Sequence, residues 1–99
     1  MARFRVYRLK SESVLAIDLQ TNMLDDLPSR VMVPLYRVGD MSWSISRLNP
    51  RFLVNGELYV MATQRMAALP VSEIGETVAD LTNHADAITA ATDFLFQGF

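Results

Sequence analysis

Cysteine is missing from the 99-residue chain. Its absence excludes disulfides, thiolate metal ligands and a cysteine nucleophile, and it agrees with a reducing compartment such as the cytoplasm. Histidine occurs once, at His84, so the paired histidine ligands of a typical zinc site cannot form. No stretch approaches the roughly 18 uninterrupted apolar residues that span a bilayer. The opening MARFRVYRLK lacks an apolar core, so no export signal is expected and the expected location is cytoplasmic. A basic excess is lacking too. Nine Lys and Arg stand against 11 Asp and Glu, for a net charge of −2, which provides no overall field to hold nucleic acid. Nor is there a GxSxG elbow, a Walker loop, an HExxH pair or an EF-hand loop. No catalytic residue, cofactor or metal is expected.

What is present is an ordinary globular composition, 51% apolar and 20% charged, which suits a folded chain rather than a disordered one. Residues 1–99 make a single domain. A domain of this size buries only roughly 65% of its unfolded surface, so a second copy is a natural source of added stability.

The order of elements is strands first, then one helix. RFRVYRL sets Arg3 and Arg5 against Phe4 and Val6, the alternation of a half-buried strand with a solvated basic face. KSES is a turn, and VLAIDLQ (14–20) is a second strand. TNMLDDLPS (21–29) has the Asn, Asp, Pro and Ser of a loop, yet carries Met23, Leu24 and Leu27. RVMVPLY (30–36) is a third strand, whose Pro34 belongs at an edge or bulge because it cannot donate to a ladder. SWSISRL alternates Trp43, Ile45 and Arg47 with serines and reads as a short strand. In RFLVNGELYVM two apolar runs flank Asn55-Gly56, the signature of a type I′ hairpin. The helix is predicted from about Asn83 to Phe96, with Asn83 as N-cap and Asp86 in the first turn. Ile88, Ala91 and Leu95 form its apolar stripe, widened by Ala87 and Phe94. This order indicates a small antiparallel sheet or barrel closed by a helix.

Candidates for chemistry are few. His84 lies near the helix start, where the dipole disfavours protonation. Asp25-Asp26 offers two carboxylates, which adjacent in a loop usually just solvate it. Arg30 is the best-placed lone arginine, either an ion-pair partner anchoring the loop or the centre of an acid–base set for RNA cleavage. Apolar groups on polar ground are better signals of a partner. Met23-Leu24 project from the loop, and FLFQGF closes the chain. With Gly98 at C′, Phe99 either folds back on Phe94 or is offered to a partner.

The residues FRVY (4–7), IDLQTNMLD (17–25), RVMVPL (30–35), MAALPVSEIGETVADLTN (66–83) and the closing FLFQGF together resemble the CcdB toxin family. The likeness covers nearly the whole chain, is weak over residues 36–49, and is strongest in PVSEIGETVADL. It implies a mainly β fold with a C-terminal α-helix, an SH3-like antiparallel barrel with a small extra sheet. It also implies a homodimer that is not an enzyme, the toxic half of a plasmid or chromosomal toxin–antitoxin pair. Such toxins bind the DNA gyrase A subunit and trap gyrase on cleaved DNA. A cognate antitoxin neutralises them through its disordered C-terminal segment, and the pair represses its own operon with the antitoxin contacting operator DNA. No membrane and no small-molecule substrate is implied. The family's gyrase contacts fall here on Met23 and Leu24 after strand two, and on Asp93, Gln97, Gly98 and Phe99 at the helix end. The best-known member ends Trp-Gly-Ile, its tryptophan stacking on a gyrase arginine, whereas this chain ends Gln97-Gly98-Phe99. Two alternatives stand beside this reading: a family member with weak or no gyrase poisoning, because Gln97 replaces the tryptophan, and an endoribonuclease toxin like MazF.

Overall fold

The N-terminal alternation produces strand β1 (Arg5–Leu9), with Arg5 and Arg8 outward and Val6, Tyr7 and Leu9 buried, in a computed structural model that describes residues 1–41 and 43–99. The outward arginines face carboxylates of a later strand, Arg5 at 4.0 Å from Asp80 and Arg8 at 3.3 Å from Glu76. The basic opening is therefore a solvated, partly paired strand face.

β2 (Leu15–Asp18) pairs antiparallel with β1 and with β3 (Ser29–Arg37). β4 (Arg51–Val54) and β5 (Glu57–Met61) form the hairpin announced by Asn55-Gly56. Both turn residues have positive φ, 50° and 85°, as a type I′ turn requires. β6 (Ala67–Pro70) and β7 (Ile74–Asp80) follow, and α1 (Ala85–Gln97) ends the chain. The sheet runs β4-β5-β3-β2-β1-β7, with β6 attached to β3 off this path. The result is a mainly antiparallel β half-barrel with one C-terminal helix, as expected.

The small extra sheet is a fork. Residues 29–32 of β3 pair with β6, while residues 35–37 pair with β5. Pro34 lies where β3 passes from one partner to the other. Its carbonyl accepts from the amide of Ala62 at 3.0 Å, so its missing N–H faces that same junction. Pro34 thus sits inside the sheet rather than at an edge, at the junction between residues 32 and 35 where the ladder changes partner and a missing donor interrupts neither pairing.

Period-two alternation places apolar residues on both faces. Val6, Ile17, Val33, Leu35, Phe52 and Met61 form the main core with Ile88 and Ala91 of the helix. Tyr7, Leu9, Ala16, Met32 and Ile74 form a smaller cluster of the opposite parity. β6 and β7 lack the clean alternation that marks a strand in sequence. β7 meets β1 through two register shifts. At Gly75 a Cβ would lie 2.6 Å from the Arg8 carbonyl oxygen, so only glycine allows that approach.

Three local expectations are corrected. No strand forms over residues 43–48, and Ser42, also in that prediction, lies outside the described residues. Polar side chains capture the backbone there instead. Asn49 accepts from the amide of Ile45 and donates to the Met61 carbonyl, and the Thr63 hydroxyl donates to the Leu48 carbonyl. At the helix start Asn83 is not the cap. A 3-10 turn (Thr82–His84) precedes α1, and Asp80 accepts from both the amide and the hydroxyl of Thr82. Ala87 is exposed and does not widen the buried stripe, while Phe94 and Leu95 are half-buried. Among the described residues no helix is long and apolar enough to cross a membrane.

Candidate functional site

The loop after β2 and the last turns of α1 border one groove of about 390 Å3. Its floor is Leu19, Val31, Met66 and Ile88, and its walls carry Leu24 from the loop and Phe96 from the helix. Thr21, Gln20, Thr89, Thr92 and Arg3 supply the polar rim. Two segments distant in sequence are thereby brought to one apolar depression.

Each candidate residue has a definite place. Met23 and Leu24 occupy a 3-10 turn (Asn22–Leu24) whose cap, Thr21, accepts from the Met23 amide. Met23 is 91% exposed and Leu24 48%. Leaving a methionine this open forgoes about 1.5–3 kcal/mol of burial. Asp93 and Gln97, four apart and both exposed, are neighbours on the helix surface, beside the Thr89, Thr92 and Phe96 ridge that lines the groove. Phe96, part of the closing FLFQGF and not among the gyrase contacts that the resemblance implies, belongs to this apolar surface. It lies three residues beyond Asp93, on the same face of the helix.

Gly98 ends the helix at φ 81°, donating its amide to the Phe94 carbonyl at 3.0 Å. This is the αL cap, in which C′ bonds C3. Phe99 is 75% exposed and does not fold back on Phe94. What covers Phe94 is Arg47, its guanidinium 4.5 Å from the ring centroid. That contact holds the 45–49 segment against the helix end, where a cation is favourable and α1 has no basic residue in its last turn.

The loop is held from beneath by buried charge. Arg30 is 1% exposed and Asp18 0%. The Nε and Nη2 groups of Arg30 donate to Asp18 Oδ2 at 3.0 and 2.7 Å. Nη2 also donates to the Gln20 carbonyl, and Nη1 to Asp25 Oδ1 at 3.2 Å. Gln20 adds a second strap, donating to the carbonyls of Leu24 and Ser29 and accepting from the Val31 amide. Arg30 is thus the loop anchor of its two readings. Asp25 is engaged with it, while Asp26 is exposed. Among the described residues no three His, Asp or Glu side chains group as metal ligands. His84 is exposed and packs at a tilt of 47° against the Phe52 ring, centroids 4.9 Å apart.

The half-barrel with its terminal helix is shared with endoribonucleases of known structure. An endoribonuclease in complex with its cognate antitoxin from Mycobacterial species is 17% identical, with 94% of this chain and 91% of that chain covered and a TM-score of 0.76. An endoribonuclease from Mycobacterial species, also 17% identical, matches over 94% of this chain and 88% of that one, with a TM-score of 0.72. At this identity the likeness is one of fold. The family is set by sequence: the CcdB protein family matches residues 3–98, and the chain belongs to it. That membership supports a toxin of a toxin–antitoxin pair.

Proposed function

We propose that this protein is a toxin that acts by binding, not by chemistry: as a cytoplasmic homodimer it engages the DNA gyrase A subunit and traps gyrase on cleaved DNA. The observation that carries the reading is the convergence of the exposed Leu24 and Phe96 on one groove, at the loop and helix end that the CcdB resemblance assigns to gyrase. Met23, Leu24, Asp93, Gln97, Gly98 and Phe99 are the proposed contacts. A cognate antitoxin is the second partner, and the pair is proposed to repress its own operon. Family membership supports the toxin class, and the antitoxin bound to the Mycobacterial endoribonuclease supports such a partner for this fold.

A ribonuclease reading draws on the two endoribonuclease structures. The arginine that would centre its acid–base set is Arg30, which is buried and gives four of its donors to Asp18, Gln20 and Asp25. A guanidinium so engaged does not reach a phosphate, so the binding reading is preferred.

Expression without antitoxin decides between them, in cells with and without a gyrase A subunit altered at its toxin-binding arginine. Toxicity relieved by the altered gyrase is expected. Undiminished toxicity in that strain, or RNA cleavage by the purified protein, overturns gyrase as the target. A folded, harmless protein in both strains would support the reading in which Gln97 has weakened poisoning.

A further inference from the structure

We infer that Arg30 and Asp25 are positioning residues: the buried Arg30–Asp18 pair, acting through Asp25, holds the exposed Met23-Leu24 turn in the shape in which it meets its partner. The inference deepens the proposed function and rests on it for the partner's identity.

A buried ion pair is weak ground for stability, since desolvating both charges offsets most of their attraction. What such a pair supplies is direction. A guanidinium has five donors in a rigid plane, and here four are used from one buried position. Two fix the plane against Asp18, which is itself held by the Gln20 amide at 3.0 Å. A third takes the Gln20 carbonyl at the loop's beginning. The fourth reaches out to Asp25, the residue that follows the 3-10 turn. The turn is therefore caught at both ends.

Gln20 restrains it at a further point, through the Leu24 carbonyl at 3.0 Å. Between these points Met23 and Leu24 have little packing of their own to hold them, being 91% and 48% exposed. Apolar side chains left in water on a loose loop would pay an ordering cost when bound. Fixing the backbone from the core removes part of that cost before the partner arrives. Asp25 is the one member of the set that is half exposed, at 52% of its side chain, so it can be changed without opening the core. Its Oδ1 also lies 3.7 Å from the Met1 amino group, which calls for a control.

The test compares the wild-type chain with Asp25→Ala and Asp25→Asn, using a purified gyrase A fragment as the probe. Three quantities are read: affinity by calorimetry, backbone 15N order parameters over residues 22–27, and melting temperature. For Asp25→Ala, order parameters in the turn are expected to fall from about 0.85 toward 0.6, with β3 and α1 unchanged and the melting temperature nearly so. Affinity should weaken roughly tenfold, the scale of one hydrogen bond to a charged group. Asp25→Asn keeps an acceptor for Arg30 and should recover much of both effects.

An Asp25→Ala turn as ordered as wild type, or an Asp25→Asn protein no better than Asp25→Ala, overturns the inference. So does reproduction of the Asp25→Ala effects by acetylating the Met1 amine. If the wild-type chain does not bind the gyrase fragment, the gyrase reading fails, and the order parameters by themselves decide whether Arg30 and Asp25 fix the turn.

Discussion

Gln97 sits exposed on the last turn of α1, four residues after Asp93 and immediately before the left-handed Gly98. A glutamine there keeps a hydrogen-bonding head and gives up a flat aromatic face. Truncating an aromatic anchor at the centre of an interface commonly costs about 2–4 kcal/mol. Gln97→Trp is therefore expected to tighten binding to a gyrase A fragment by tenfold or more, measured by calorimetry. No gain from this substitution would mean that the exposed Phe96 and Phe99 already fill the aromatic role. Arg30 gives the opposite lesson at the same scale. By residue type it suits a catalytic set equally well, and only its depth in the fold assigns it to the loop.

At the scale of elements, the C-terminal tail is joined to its helix by little. The cap is a single hydrogen bond from Gly98 to Phe94, and Phe99 stands 75% exposed beyond it. The stability of α1 lies elsewhere, in Ile88 and Ala91 within the main core. Deleting Gly98-Phe99 should therefore shift the melting temperature by only a few degrees, the effect of about 1 kcal/mol or less on a domain of this size. The same deletion should abolish toxicity in cells. A large fall in melting temperature would assign Phe99 to the fold instead of the partner.

For the whole molecule, two hydrogen-bonded carboxylates, the half-buried Glu73 and the exposed Asp80, set its response to acid. Hydrogen bonds from the side chain and backbone of Ser11, with Lys10 nearby, hold the Glu73 carboxyl below its ordinary value of 4.5. Those from Thr82, with Arg5 nearby, hold Asp80 below its ordinary 3.8. Glu73 thus binds the turn between β1 and β2 to the segment before β7, and Asp80 binds β7 to the helix start. A carboxyl whose pKa is lower folded than unfolded adds stability above the unfolded value, and that contribution disappears as pH falls through the folded value. The Glu73→Gln, Asp80→Asn double variant should accordingly melt below wild type at neutral pH. The gap should close only once the pH is below 3.8 and passes through the lowered folded values, as thermal melts across that range would record. A gap that stayed constant into acid would mean that the two groups act by packing.

The chain's local chemistry determined the hairpin at Asn55-Gly56, the existence of the terminal helix and its cap at Gly98, because turn dihedrals, helical period and the left-handed glycine are properties of neighbouring residues. The resemblance carried by segments such as PVSEIGETVADL determined the family, and with it where to look for a site. Tertiary structure decided what depends on pairing between distant segments: β7 with its bulges, the fork of β3 that accommodates Pro34, and the burial of Arg30 against Asp18. It also decided that Leu24 and Phe96 border one groove. Nothing in either segment's own pattern specifies the other, since a strand register and a helix docking angle are set by which faces bury together.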